Sequence, residues 1–354
     1  MAVAERHWVP AATRITAVLP EALAMNAPGP SQARILPLGG TARSTQVAQM
    51  TTRIDVAIGQ PQTRRTAAAV RLFFDLFKLR IGLVIGFTAV AGLAVTPGPS
   101  LPGWQILSLA LAVTMASAAA GAFNQYVERD LDARMGRTRR RAFVTGRLTA
   151  GPLWLAAIVL IGAAGVGLAA VTINLPAAAY TFLGAFTYGV VYTVWLKRRT
   201  WWNIVIGGLA GSFAVLAGAA AVAPDTLGPL PLAFAVVLFL WTPPHFWSLA
   251  IAFREDYVAA KVPMLPVVVG DERAARAVFA GAAMLVAASL VPGLLGMGWL
   301  YLAAALGGGA YLLTTSARLA LAPNRRAAMI NFHASLIQLT LLLVAAIADA
   351  ALHA

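Results

Sequence analysis

From Ile81 to Leu352 the chain is a succession of long apolar runs separated by short polar breaks. The runs are Ile81–Val95, Trp104–Phe123, Leu153–Val171, Leu175–Trp195, Ile204–Ala223, Leu230–Phe253, Ala275–Met297, Trp299–Ser316 and Phe332–Leu352. A helix needs about 20 apolar residues to cross a bilayer core, where lipid satisfies no backbone polar group. Runs of this length predict an all-α membrane protein with nine transmembrane helices; the first run is short and the eighth is rich in Gly. Composition agrees, since 60% of the 354 residues are hydrophobic and only 11% are charged, far outside soluble usage. The chain has no Cys, which excludes disulfides and thiolate metal sites.

Lys and Arg resist translocation, so their placement sets the orientation. The 27 basic residues lie in the N-terminal segment or around the breaks after runs 2, 4, 6 and 8, with Arg276 just inside run 7. The opposite breaks, such as "TPGPSLPG" and "APDTLGP", carry none. A cytoplasmic N-terminus is therefore expected, and the net charge of +14 is mainly topological. Anionic lipid headgroups of the bilayer are its partner, and nothing in the sequence points to nucleic acid.

Residues 1–71 differ in kind, with many Ala, Pro, Gln, Thr and Arg residues and no sustained apolar period. They read as a basic, disordered extension preceding a membrane domain over residues 72–354. Met25 and Met50 leave a later start open, and a transit peptide is the other reading, diluted by Glu5, Glu21 and Asp55. A bacterial cell inner membrane is accordingly expected ahead of a mitochondrial inner membrane.

The stretch "NQYVERDLDARMGRTRRR", Asn124–Arg141, sets three carboxylates and six arginines directly behind the second apolar run. If that run continues as a helix, Asn124, Glu128 and Asp132 fall at i, i+4, i+8 and share a face, while Asp130 projects elsewhere. Stacked carboxylates at a helix C-terminus oppose the helix dipole and require positive charge nearby. Arg129, Arg134 and Arg137 could supply it as a surface ion-pair network. Alternatively, an all-oxygen set suits Mg²⁺, which takes one or two carboxylates together with waters and phosphates. Arg137, Arg139, Arg140 and Arg141 would then meet a diphosphate, since guanidinium binds phosphate oxygens bidentately.

Other segments on the same predicted side repeat the chemistry. After run 6 come Arg254, Glu255, Asp256 and Lys261; after run 4 come Lys197, Arg198 and Arg199; "FFDLFKLR" before run 1 supplies Lys78 and Arg80. His245 lies within run 6 behind Pro243 and Pro244, where an ionisable residue is costly. It is either a neutral His bonded to a carbonyl freed by the Pro kink or a ligand contact. Tyr188 and Tyr192 are one helical turn apart and face the same side, either as rings that shield a cationic centre or as an interfacial aromatic belt.

Taken together, these residues resemble the UbiA superfamily of intramembrane prenyltransferases, and within it the branch that farnesylates haem. "NQYVERDLD" is similar to the superfamily's first acidic motif, with Glu128 where Asp is usual. "MGRTRRRA", "WTPPHFWSLAI", "VPMLPVV" and "LKRRT" followed by "NIVIGG" are similar to that branch, from about residue 72 onward. Departures are Leu79 within "KLR", Ala142 where Pro is usual, and "AGSFAVLAG" where a Pro-Pro pair is expected.

The resemblance implies a helical bundle around an apolar chamber, farnesyl diphosphate as donor, haem b as acceptor and Mg²⁺ as cofactor. It also implies a downstream relation to haem A synthase or an oxidase assembly complex. By motif position Asn124, Glu128, Asp132, Arg137 and Arg141 are the expected catalytic residues. Asn124, Glu128, Asp130, Asp132 and Asp256 are the expected metal ligands. Lys78, Arg80, Tyr188, Tyr192, Lys197, Arg198, His245, Arg254 and Lys261 are the expected substrate contacts. For His245 the implied contact is either the haem iron or a propionate. Another UbiA-type prenyltransferase of quinone or chlorophyll pathways, a transporter, and a non-catalytic assembly factor remain the alternatives.

Overall fold

The computed structural model describes residues 70–353. The extension expected over residues 1–71 thus lies almost wholly outside the described residues. Among the described residues all regular structure is helical. Eight helices are long and apolar enough to cross a membrane: Gly103–Val127, Pro152–Thr172, Leu175–Leu196, Asn203–Val222, Pro229–Ala252, Asp271–Leu294, Trp299–Leu321 and Arg325–His353. These are spans 2 to 9. Span 1 is a bent pair, Val70–Leu76 and Leu79–Ala94, meeting at 56°.

Local chemistry explains the boundaries. Spans 3, 4 and 6 each begin with Pro in the first turn, where its missing N–H costs nothing. Asn174 caps span 4 by accepting a hydrogen bond from the Ala177 amide at 2.8 Å. Asp271 and Glu272 occupy the first turn of span 7, where the helix dipole favours negative charge.

Consecutive spans pack against one another, with further contacts between spans 1 and 5, 6 and 9, and 1 and 9. Spans 1 and 5 meet backbone to backbone. A Cβ on Gly218 would stand 1.8 Å from the Ala89 carbonyl oxygen, and one on Gly92 would stand 2.2 Å from that of Val215. Close approach of this kind drives helix association where lipid removes the hydrophobic advantage of burial. On the outside, Leu107, Leu153, Leu160 and Leu306 are exposed, as a lipid-facing surface requires.

Buried polar groups join the second half of the bundle. Asn331 on span 9 accepts hydrogen bonds from Thr315 and Ser316 of span 8 at 2.8 Å each and donates to Ser248 of span 6 at 2.9 Å. Ser248 in turn donates to the Pro244 carbonyl at 2.6 Å. The chain of bonds fixes the Pro-containing part of span 6 against spans 8 and 9, where unpaired polar atoms would be costly.

Candidate functional site

Span 2 does not run straight through the acidic stretch. Its helix ends at Val127, Glu128 takes φ −90° and ψ 20°, and a six-residue helix restarts over Arg129–Arg134. The expected uninterrupted helix is thus corrected to a helix broken at Glu128. The register survives, because the Glu128 amide bonds the Asn124 carbonyl at 3.0 Å and the Asp132 amide bonds the Glu128 carbonyl at 2.8 Å. Asn124, Glu128 and Asp132 therefore still succeed one another by turns, and all three are buried.

Three cations from three different segments answer them. Lys197, just past the end of span 4, forms an ion pair with Glu128 Oε2. Arg141 Nη1 lies 2.8 and 2.7 Å from the two Asp132 oxygens. Lys78 Nζ donates to Asn124 Oδ1 at 2.9 Å and to the Tyr188 hydroxyl at 3.0 Å. Glu128 Oε1 is buried with no partner among the described residues. A buried acceptor without a donor is costly, and it marks where a cation or a hydrogen-bond donor fits.

The backbone is shaped to bring these groups together. Lys78 sits at the break in span 1 with φ 47°, a left-handed conformation that L-residues adopt at a cost. The break frees carbonyls, and Gln125 Nε2 donates to those of Asp75 and Leu76 at 2.9 and 2.8 Å. Gly121 leaves room for the lysine stem, since a Cβ there would stand 3.3 Å from Lys78 Cδ. The last ten residues of span 4, Thr187–Leu196, are wound as a π-helix, a form that clusters at functional sites. In it Tyr188 and Tyr192 stack with centroids 5.9 Å apart. Thr193 accepts from Asn124 Nδ2 at 3.1 Å and donates to the Tyr188 carbonyl at 2.8 Å.

Apart from Glu128, which is fully buried and not in the lining, the charged groups of this cluster form the mouth of a cavity of about 610 Å³ lined by spans 1, 2, 4, 5, 6 and 9. Lys78, Arg80, Asn124, Asp132, Arg137, Arg141, Tyr188, Tyr192, Lys197 and His245 all line it. Away from the mouth the walls are apolar, with Val84, Ile85, Val113, Ala214, Leu238 and Leu339 among them. His245 stacks between Trp241 and Phe332, at centroid distances of 4.2 and 4.3 Å. Its Nδ1 is 2.8 Å from the Ser335 hydroxyl, so the partner is a side chain of span 9 rather than a carbonyl freed by the prolines.

Several expected residues stand elsewhere. Asp256 is not in the lining: Oδ1 accepts from the Gly136 amide at 2.9 Å and Oδ2 from the Arg137 amide at 3.4 Å. In this structure its carboxylate ties down the "MGR" turn. Asp130 turns outward to Arg198 at 2.8 Å, both side chains being close to half exposed, so neither faces the cavity. The guanidinium holds the Asp130 carboxyl below the usual carboxylate range. Arg254 bonds the Pro266 carbonyl and faces Asp271 at 3.5 Å, and Lys261 is exposed on a turn. Among the described residues no three acids or histidines converge as a ready-made metal cage.

Thr193, Thr138, Tyr257 and the Trp241–Phe332–Ser335 set escaped the sequence reading. Thr138 donates to the Asp132 carbonyl at 3.0 Å and Tyr257 contacts Arg137 at 3.3 Å. Their types carry no charge signal, although Thr138 sat inside "MGRTRRRA" and Trp241 inside "WTPPHFWSLAI". The departures are accommodated locally. Ala142 is buried where Pro is usual, and Ser212 in "AGSFAVLAG" donates to the Ala235 carbonyl at 2.7 Å.

The sequence model of the UbiA prenyltransferase family matches residues 85–342. Protoheme IX farnesyltransferase 2 of Paramagnetospirillum magneticum is 54% identical over 282 residues, covering 80% of this chain and 98% of that protein. Protoheme IX farnesyltransferase of Gloeobacter violaceus is 42% identical, covering 79% and 92%. Among solved structures, a UbiA homolog from Archaeoglobus fulgidus bound to GPP and Mg²⁺ aligns with a TM-score of 0.59 at 17% identity, covering 79% of this chain and 99% of that one. Digeranylgeranylglyceryl phosphate synthase aligns with a TM-score of 0.65 at 16% identity, covering 79% and 98%. At such identities the solved structures establish the shared fold.

Proposed function

The chain belongs to the UbiA prenyltransferase family, and from that membership we propose that it transfers a farnesyl group from farnesyl diphosphate to a vinyl group of haem b, making haem O. The observation that carries the reading is one cavity that joins a cationic, carboxylate-bearing mouth to an apolar interior. A prenyl diphosphate has the same two-part chemistry. The relatives named as protoheme IX farnesyltransferases support haem as the acceptor. So does the branch-specific "MGRTRRR" segment, which is bonded directly onto the acidic motif through Thr138 and Arg141.

In this reading the diphosphate lies at the mouth, where Lys78, Lys197, Arg137 and Arg141 face it. When donor arrives, Arg141 and Lys197 can pass from Asp132 and Glu128 to phosphate oxygens. The site fits a magnesium ion by its donor set: Glu128, with its free Oε1, Asp132 and Asn124 would hold it alongside the diphosphate, and it would supply Lewis-acid charge neutralisation there. The cations stabilise the leaving group as the C1–O bond breaks and the electron pair departs with the diphosphate. Tyr188 and Tyr192 present their stacked rings beside the allylic cation, and the apolar wall keeps water from it. The vinyl π pair then bonds C1, and water adds to the carbon next to the pyrrole with loss of a proton, giving a hydroxyethylfarnesyl group.

The mouth is proposed to face the cytoplasm, in a bacterial inner membrane, from the basic residues that flank it. A reporter fused after Arg141 checks this; a signal from the far side of the membrane would refute it. Activity is tested by supplying membranes with haem b, farnesyl diphosphate and Mg²⁺ and measuring haem O by liquid chromatography and mass spectrometry. Haem O is expected with the wild-type chain and not with Asp132→Ala. Equal output from the two would overturn the reading.

A further inference from the structure

The family resemblance leaves two haem contacts open for His245, the iron or a propionate, and the surroundings of the ring bear on the choice. Ser335 Oγ lies 2.7 Å from the Phe332 carbonyl, to which it donates its one proton. The Ser335 hydroxyl then faces His245 Nδ1 as an acceptor at 2.8 Å, so the proton between them belongs to the imidazole. With Nδ1 protonated in a neutral ring, Nε2 carries a lone pair and no proton. No hydrogen-bond partner of Nε2 is found among the described residues, and His245 lines the cavity. A carboxylate needs a donor and finds none there; protonating the ring to make one would place an imidazolium between two aromatic faces inside the membrane. A metal needs the lone pair.

The ring is also held as a metal ligand is held. Trp241 and Phe332 cover its two faces, and Trp241 Nε1 donates to the Ser335 carbonyl at 2.8 Å. One residue of span 9 thus anchors both the histidine and one of the rings stacked on it. Ligating histidines characteristically donate their second nitrogen in this way, which fixes the tautomer and raises ligand basicity. His245 lies seven residues before Ala252, the last residue of span 6, which is ~10 Å at 1.5 Å per residue. A porphyrin held there would share the cavity with Arg80, Arg137 and Arg141, toward which its propionates could reach.

We propose that His245 Nε2 is an axial ligand to the iron of the haem substrate, with Ser335 as the residue that positions it. The proposal rests on the haem-farnesylating reading above and deepens it. The test titrates ferric haem b, and separately iron-free protoporphyrin IX, into the purified full chain in detergent, with absorption and EPR spectra as readout. The wild-type chain gives an imidazole-ligated haem spectrum. His245→Ala and His245→Gln lose that spectrum and bind haem at least tenfold more weakly while binding iron-free porphyrin as the wild type does. Added imidazole restores the ligated spectrum of protein-bound haem in His245→Ala, and the unchanged binding of iron-free porphyrin shows that this variant is folded. Ser335→Ala keeps the ligation but raises the reduction potential of the bound haem, because the imidazole loses its acceptor. If the wild type and both His245 variants share one spectrum while haem O is still made, the ligand assignment falls alone. If the wild type neither binds haem nor makes haem O, the functional reading falls and the ligand assignment with it.

Discussion

Replacing Lys197 by Met removes the ammonium and keeps most of the stem. Glu128 is fully buried, its Oε2 is paired with Lys197, and its Oε1 has no partner among the described residues. The substitution therefore strands a carboxylate, and breaking a buried pair from one side costs about 3–5 kcal/mol. At about 2–4 °C per kcal/mol for a large domain, the melting temperature should fall by roughly 6–20 °C. The double variant Glu128→Gln/Lys197→Met removes both charges and should recover most of that loss, to within about 1–2 kcal/mol of wild type. Activity should not recover with it, since the double variant lacks both a diphosphate contact and a metal ligand of the proposed site. Thermal unfolding of the purified proteins in detergent, run beside haem O formation, reads both quantities. A single variant melting within about 2 °C of wild type would refute the reasoning, because Glu128 would then not depend on Lys197. A double variant as unstable as the single one would refute it equally.

Gly218→Ala should prevent the normal approach of spans 1 and 5, because its Cβ would stand 1.8 Å from a backbone oxygen; a loss of folded protein of at least about 2 kcal/mol in thermal unfolding is expected. Asp132→Asn should fold, since the Arg141 side chain is 24% exposed and can turn to solvent, while haem O formation falls by roughly 10²-fold or more in a saturating assay. Asp256→Ala deprives the Gly136 and Arg137 amides of their acceptor; the KM for farnesyl diphosphate should rise as the turn carrying Arg137 loosens, and an unchanged KM would remove that role. Arg198 lowers the folded-state pKa of Asp130, so its stabilisation is present above the ordinary value of 3.8 and is lost as pH falls through the folded value. With the two side chains 40% and 49% exposed, screening limits the effect to less than about 1 kcal/mol. Asp130→Asn should leave haem O formation near the wild-type level.

Membrane crossing, the number of spans and the acidic motif were legible in the chain because each depends on local pattern. A run of apolar residues crosses lipid whatever surrounds it, and an i, i+4, i+8 spacing aligns side chains wherever the helix lies. This is why Asn124, Glu128 and Asp132 kept their register through the break at Glu128. Charge type pointed to loops that meet in space, since Lys78, Arg137, Arg141 and Lys197 all reach one cavity.

The choice among those charges belonged to the tertiary structure. Asp130 and Asp132 are two residues apart, yet one faces solvent and the other is buried against Arg141; a helical step of two puts them on different faces, and packing decides which face is covered. Asp256 has its oxygens on the backbone of a turn 119 to 120 residues away in sequence, a pairing that its charge alone did not specify. The partner of His245 was likewise invisible in "PPHFW", because Ser335 lies 90 residues onward. The sequence by itself determined what must lie in lipid and which chemistry waits at one end of it. Which atoms remain free to act was decided only when distant segments closed on one another, since a hydrogen bond depends on distance and direction, and residue order specifies neither.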